Sequence, residues 1–95
     1  MVLASTLKED PSSVLRHEAA FLLGTLKNKK VISLLMYSIE NDQSDLVRHE
    51  AIEALGDNGI MTKEIRDLLK KLLRDKNIFI RETAEIALGT LENVD

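Results

Sequence analysis

The chain has no cysteine and no tryptophan, and only one proline, one tyrosine, two phenylalanines and four glycines in 95 residues. Without cysteine there is no disulfide, no thiolate nucleophile and no thiolate metal site; a bound metal would have to use imidazole, carboxylate, backbone or water. No apolar run approaches the roughly 18 residues that a membrane-spanning helix needs. No basic region followed by an apolar core stands at the N-terminus, so no secretory signal is expected. The net charge of −3 argues against a general nucleic-acid binder, which carries a basic stripe. A cytoplasmic protein forming a single domain over residues 1–95 is the expectation. Leu, Ile, Ala, Glu and Lys dominate, and straight-chain residues lose little freedom in a helix, so the composition leans helical.

One segment occurs three times without gaps. Asp10-Pro-Ser-Ser-Val-Leu-Arg-His-Glu-Ala-Ala-Phe-Leu-Leu-Gly24 returns as Asp42-Gln-Ser-Asp-Leu-Val-Arg-His-Glu-Ala-Ile-Glu-Ala-Leu-Gly56. It returns again as Asp75-Lys-Asn-Ile-Phe-Ile-Arg-Glu-Thr-Ala-Glu-Ile-Ala-Leu-Gly89. The spacing is 32 residues, then 33. A period near 30 with two helices per unit indicates an all-α fold, a short right-handed α-solenoid of about three helical hairpins. The repeats fall at approximately 1–27, 28–58 and 59–95.

Helices are expected over residues 2–9, 13–27, 30–41, 45–56, 63–74 and 78–92. Ser12 or Ser13, Ser44, Thr62 and Asn77 can each accept from free N–H groups at a helix start. Pro11 suits the entry to the second helix. Lys27, Lys29 and Lys30 lie near that helix's end, and Asp57-Asn58-Gly59 breaks the fourth. The tail from Asn93 to Asp95 is expected to fray. The core should take Val2, Leu3 and Leu7, then Leu15, Ala19, Leu22, Leu23 and Leu26. Val31, Leu34, Leu35 and Ile39 follow, then Ile65, Leu68, Leu69 and Leu72. Ala19, Ala51 and Ala84 let neighbouring helices approach closely. The recurrent Asp and Arg should form a polar ladder between units, a structural role for Arg16, Arg48 and Arg81. This pattern resembles HEAT-like repeats of the kind found in bilin lyases, whose second helix runs from valine-arginine-x-x-alanine to alanine-leucine-glycine. The repeat alone carries no activity, because many functions share it.

The two histidines of the chain both sit in this repeat, each followed by glutamate: His17-Glu18 and His49-Glu50. On a wheel with Leu15 at 0° and ~100° steps, the apolar cluster centres near 20° and His17 falls at about 200°. Both histidines should therefore point away from the core, on the inner, concave surface that second helices line. Phe21, at about 240° on that wheel, would be partly exposed beside them. Imidazole and carboxylate without thiolate suit iron, manganese or zinc, so His17, Glu18, His49 and Glu50 are candidate metal ligands.

Arg16-His17-Glu18-Ala19-Ala20 through Leu23-Gly24, with Arg48-His49-Glu50-Ala51 through Ala54-Leu55-Gly56, is similar to deoxyhypusine hydroxylase. The resemblance implies iron as cofactor, with other divalent metals as alternatives, and an iron-dependent hydroxylase acting on a modified lysine of a translation factor. That family holds two irons with two pairs of His-Glu motifs; this sequence has one pair, and the third repeat has Glu82 and Thr83 in the motif's place. A symmetric homodimer would restore four motifs. The competing expectation is a metal-free scaffold that grips a protein or peptide in the concave groove. Neither a nucleic acid nor a membrane is an expected partner. Met36 and Tyr37 read as core and edge. Lys70-Lys71 with Arg66, Arg74 and Lys76 reads as solvated surface, because Glu64, Asp67 and Asp75 interrupt it.

Overall fold

The computed structural model describes residues 2–93, and among them there are six helices and no strand. They are α1 (Val2–Glu9), α2 (Ser13–Gly24), α3 (Lys29–Asn41), α4 (Asp45–Asn58), α5 (Lys63–Leu72) and α6 (Ile78–Glu92). Each odd helix packs on the even helix that follows it, giving three hairpins. The even helices pack against one another, α2 on α4 and α4 on α6, while α3 and α5 make at most a marginal contact. Tight packing in one layer and splaying in the other puts α2, α4 and α6 on the inside of the curve.

Local chemistry accounts for the ends. Ser12, Ser44 and Thr62 accept from the N–H groups of Leu15, Val47 and Ile65, and Asn77 accepts from Phe79 and Ile80. Asn28, which the sequence reading passed over, caps α3 by accepting from Val31. The second helix therefore stops at Gly24 rather than near 27, and Lys29 and Lys30 open α3. The fourth helix runs on through Asp57 and Asn58; Gly59 alone adopts the left-handed conformation, with φ of 79°. The fifth ends at Leu72 rather than 74, and the sixth keeps its expected bounds. Asn93 caps α6, and Val94 and Asp95 of the expected frayed tail lie outside the described residues.

The core is one cluster running through all three hairpins, from Leu7 and Leu23 through Leu35, Ile52 and Leu55 to Ile65, Leu69 and Ile80. Between repeats the second helices approach so closely that a Cβ placed on Gly24 would lie 2.6 Å from the Cβ of Ala54. Gly56 meets Ala87 in the same way, less tightly. The expected Ala19, Ala51 and Ala84 are buried, but the closest approach belongs to the Gly/Ala pairs.

Two core expectations are corrected. Val2 is exposed, and so are Leu15, Leu22 and Leu26. Their counterparts Val47, Ala54 and Asn58 in the second repeat are buried, because a preceding second helix covers them. The α2 face that carries the three leucines has no described helix against it. Its buried side is formed instead by Ala19, Ala20, Leu23 and Gly24, a quarter-turn away from the anticipated centre.

The polar ladder is present. Arg16 donates to both carboxylate oxygens of Asp42, at 2.9 and 3.2 Å, and to the carbonyl of Asp10 at 2.7 Å. Arg48 repeats this with Asp75, at 2.7 and 3.4 Å, and adds the carbonyl of Ile39. Paired charge holds Asp75's carboxyl below the usual carboxylate range, chiefly through the Arg48 hydrogen bond. Arg81, in the third repeat, reaches only the carbonyls of Asp75 and Lys76.

Candidate metal centre

The His-Glu motifs occupy the second turn of α2 and of α4. Both turns are held in place from two directions. The serine cap fixes where each helix begins, and the Arg–Asp ladder fixes the height of one helix against the next. Because Arg16 meets Asp42 near the start of α4 and Gly24 meets Ala54 near its end, α2 and α4 run parallel and in register.

That register brings one histidine and one glutamate from different repeats together. The Nε2 of His17 lies 2.7 Å from Oε1 of Glu50. Both side chains are largely covered, Glu50 more than His17. Burial between the repeats pushes Glu50's carboxyl above its usual value, and the neighbouring imidazoles of His17 and His49 pull it part of the way back.

The other two motif residues find no such mate. Glu18 is exposed at the outer edge of the first repeat. His49 turns to Glu53, one turn on in its own helix, at 3.2 Å from Nδ1. The position that would answer His49 in the third repeat holds Thr83, whose hydroxyl donates to the carbonyl of Phe79 at 2.7 Å. Glu82, at the histidine position, is exposed. A small cavity of about 130 Å³ separates His49 from this wall and is lined by Glu53, Asp57 and Thr83.

The four sequence-selected residues thus lie on one inner face as one cross-repeat pair and two single groups. Each imidazole engages a carboxylate, rather than the two imidazoles turning together. Among the described residues, no three or more of His, Asp and Glu are grouped so as to hold a metal ion. The donor types fit a divalent ion such as iron: imidazole nitrogen and carboxylate oxygen, one pair already held at contact distance. The number does not close within one chain, since such ions take about four to six ligands.

The motif sits in an apolar frame that sequence reasoning missed. Val14, Leu46 and Phe79 occupy the same register in the three repeats and are 63, 48 and 69% exposed. They form a row along one side of the histidines, and an open cavity of about 310 Å³ lies between Leu46, His49 and Phe79. Phe21 and Ile86, both exposed, flank the other side, with Glu53 between them. The signal was available: an apolar residue recurs immediately before Leu15, Val47 and Ile80, the positions that the repeat aligns with one another.

Comparison with known proteins identifies the repeat and its relatives. A profile described as HEAT repeats matches residues 1–89. A deoxyhypusine hydroxylase of Cryptococcus neoformans var. neoformans serotype D is 42% identical over 87 residues, covering 88% of this chain and 24% of that protein. The Mus musculus deoxyhypusine hydroxylase is 39% identical, with 88% of this chain and 28% of that protein covered. The structure of human deoxyhypusine hydroxylase in complex with glycerol superposes with a TM-score of 0.83 at 34% identity, over 95% of this chain and 31% of that one. The chain spans about a quarter of the length of the curated relatives it matches.

Proposed function

This chain belongs to the HEAT-repeat family, and from the His-Glu motifs that its repeats carry we propose that it binds iron through His17, Glu18, His49 and Glu50. Two chains related by a two-fold axis would bring four His-Glu motifs to one dinuclear site of the oxygenase type, working in the cytoplasm like a halved deoxyhypusine hydroxylase. The observation that carries this is the His17–Glu50 contact at 2.7 Å. It joins an imidazole and a carboxylate across two repeats, outside the apolar core. Identity near 40% to proteins named deoxyhypusine hydroxylase supports the choice of iron and of hydroxylation.

Bound iron would supply the reactivity toward oxygen that hydroxylation needs. The chain's own residues do the remaining work. Glu50 and His17 hold each other in place across the two repeats, so that both donors stand on the inner face before the ion arrives. Glu18 and His49, each without a cross-repeat mate, are the groups left for the second chain's motifs. The apolar row of Val14, Leu46 and Phe79 keeps water from one flank.

The test is metal content after anaerobic equilibration with ferrous iron, in the wild type and in a His17→Ala/His49→Ala variant. About one ion per wild-type chain and none in the variant is expected. Light scattering should show a dimer when metal is bound; monomer alone, with and without metal, would exclude the shared site.

The exposed row of Val14, Leu46 and Phe79 also favours a second reading, a metal-free scaffold that grips a peptide on this face. Retention of no metal by the wild type, with partner binding unchanged in the double histidine variant, would select it.

A further inference from the structure

One cavity lies apart from the histidines, and none of His17, Glu18, His49 and Glu50 lines it. It is a groove of about 880 Å³ between the C-terminal ends of α3 and α5, open because those two helices splay apart. Its floor is apolar, formed by Ile39, Leu68 and Leu72, and the Arg48–Asp75 pair closes one end with its charges matched. Its rim carries Lys70, Lys71, Arg74 and Lys76. None of these four makes an ion pair among the described residues, and the one other carboxylate on the rim is Glu40. A chain of net charge −3 therefore gathers four unpaired cations around a single groove. Two of them, Lys70 and Lys71, also lie in the last turn of α5, where positive charge is favourable. Arg74 and Lys76 lie beyond the helix and have no such role.

We propose that this groove is a docking site for an acidic peptide segment of a partner protein, with the peptide's carboxylates on the cationic rim. A peptide is favoured over a nucleic acid by two features. No aromatic ring lines the groove to stack a base, and the net acidity of the chain repels a long polyanion. The groove is independent of the His-Glu face, so it stands whether or not the chain binds metal.

The test is fluorescence anisotropy with a labelled peptide of alternating glutamate and leucine, with labelled oligouridylate as the competing probe. A Lys70→Glu/Lys71→Glu/Arg74→Glu variant reverses the rim. A Lys27→Glu/Lys29→Glu/Lys30→Glu variant makes the same change in net charge elsewhere. All six positions are exposed, so both variants should fold, which circular dichroism checks. The peptide should bind the wild type, weaken with salt, and lose at least about tenfold in affinity in the rim variant but less than about twofold in the control. No binding by the peptide, equal losses in the two variants, or oligouridylate binding as tightly as the peptide would each overturn the proposal.

Discussion

His17 and Glu50 meet at 2.7 Å although they are 33 positions apart, because parallel helices of successive repeats place the histidine of the first beside the glutamate of the second. Glu50 is a half-buried carboxylate whose burial is unfavourable, and an amide oxygen in its place can still accept from the His17 ring, so the exchange should cost the fold little. Glu50→Gln should change unfolding free energy in urea by less than about 1 kcal/mol. The same variant should weaken iron binding by about tenfold or more, read by anaerobic titration, because an amide is a poor substitute for a ligating or orienting carboxylate.

The ladder arginines should rank by the partners they reach. Arg48→Ala removes two contacts to Asp75, one to Asp45 and one to the carbonyl of Ile39, and should lower stability by about 2 kcal/mol. Arg81→Ala loses only carbonyl contacts at the end of the array and should cost less than about 1 kcal/mol. Urea denaturation of the two variants side by side checks the order.

Glycine positions that look equivalent in sequence should respond with opposite sign. Gly24→Ala forces a methyl against Ala54 and should destabilise by about 1–3 kcal/mol. Gly89, at the same register in the third repeat, has open space around it. Gly89→Ala should stabilise α6 by up to about 1 kcal/mol, since alanine is the better helix former. Melting temperatures of the pair decide the matter.

Acid should destabilise the chain through the ladder. The folded carboxyl of Asp75 is held below its ordinary value of 3.8, so the unfolded chain takes up that proton first as the pH drops. Its contribution is therefore complete above that ordinary value and is lost as pH falls through the depressed folded one. Glu50 carries the opposite sign. Its raised carboxyl binds a proton in the folded chain above the ordinary value of 4.5, so mild acidification relieves its burial. Stability measured across the acid range should show a steep loss only at the lower end, and Arg48→Ala should flatten that loss.

The parts of the fold that repeat were legible in the sequence. Asp, Arg, Ala, Leu and Gly recur in register, and three copies suffice to identify hairpins, caps and ladder. Ends were less legible, because a cap is decided by one side chain: Asn28 captures Val31's N–H and so moves the start of α3 forward. The wheel misplaced Leu15, Leu22 and Leu26 for a different reason. Their apolar character fits burial, but burial requires a neighbouring helix, and only the second and third repeats have one on that side. At the site, residue choice and face came from the sequence. The pairing of His17 with Glu50 depends on the offset between parallel helices and could not be read from one repeat alone, whereas His49 meets Glu53 at the i,i+4 spacing of a single helix.

The offset gives the site the logic of a ladder whose rungs are shared between neighbours. Each junction between two motif-bearing repeats makes one rung, and among the described residues Glu18 and His49 are left as half-rungs, His49 because Thr83 stands in place of a carboxylate. Duplicating the second repeat within the chain would therefore add a whole rung without altering the two that are left open. Thr83→Glu would test the same arithmetic with a single substitution, offering His49 a mate across the last junction. Site size in such an array is counted in junctions, and a chain gains ligands by lengthening rather than by redesign.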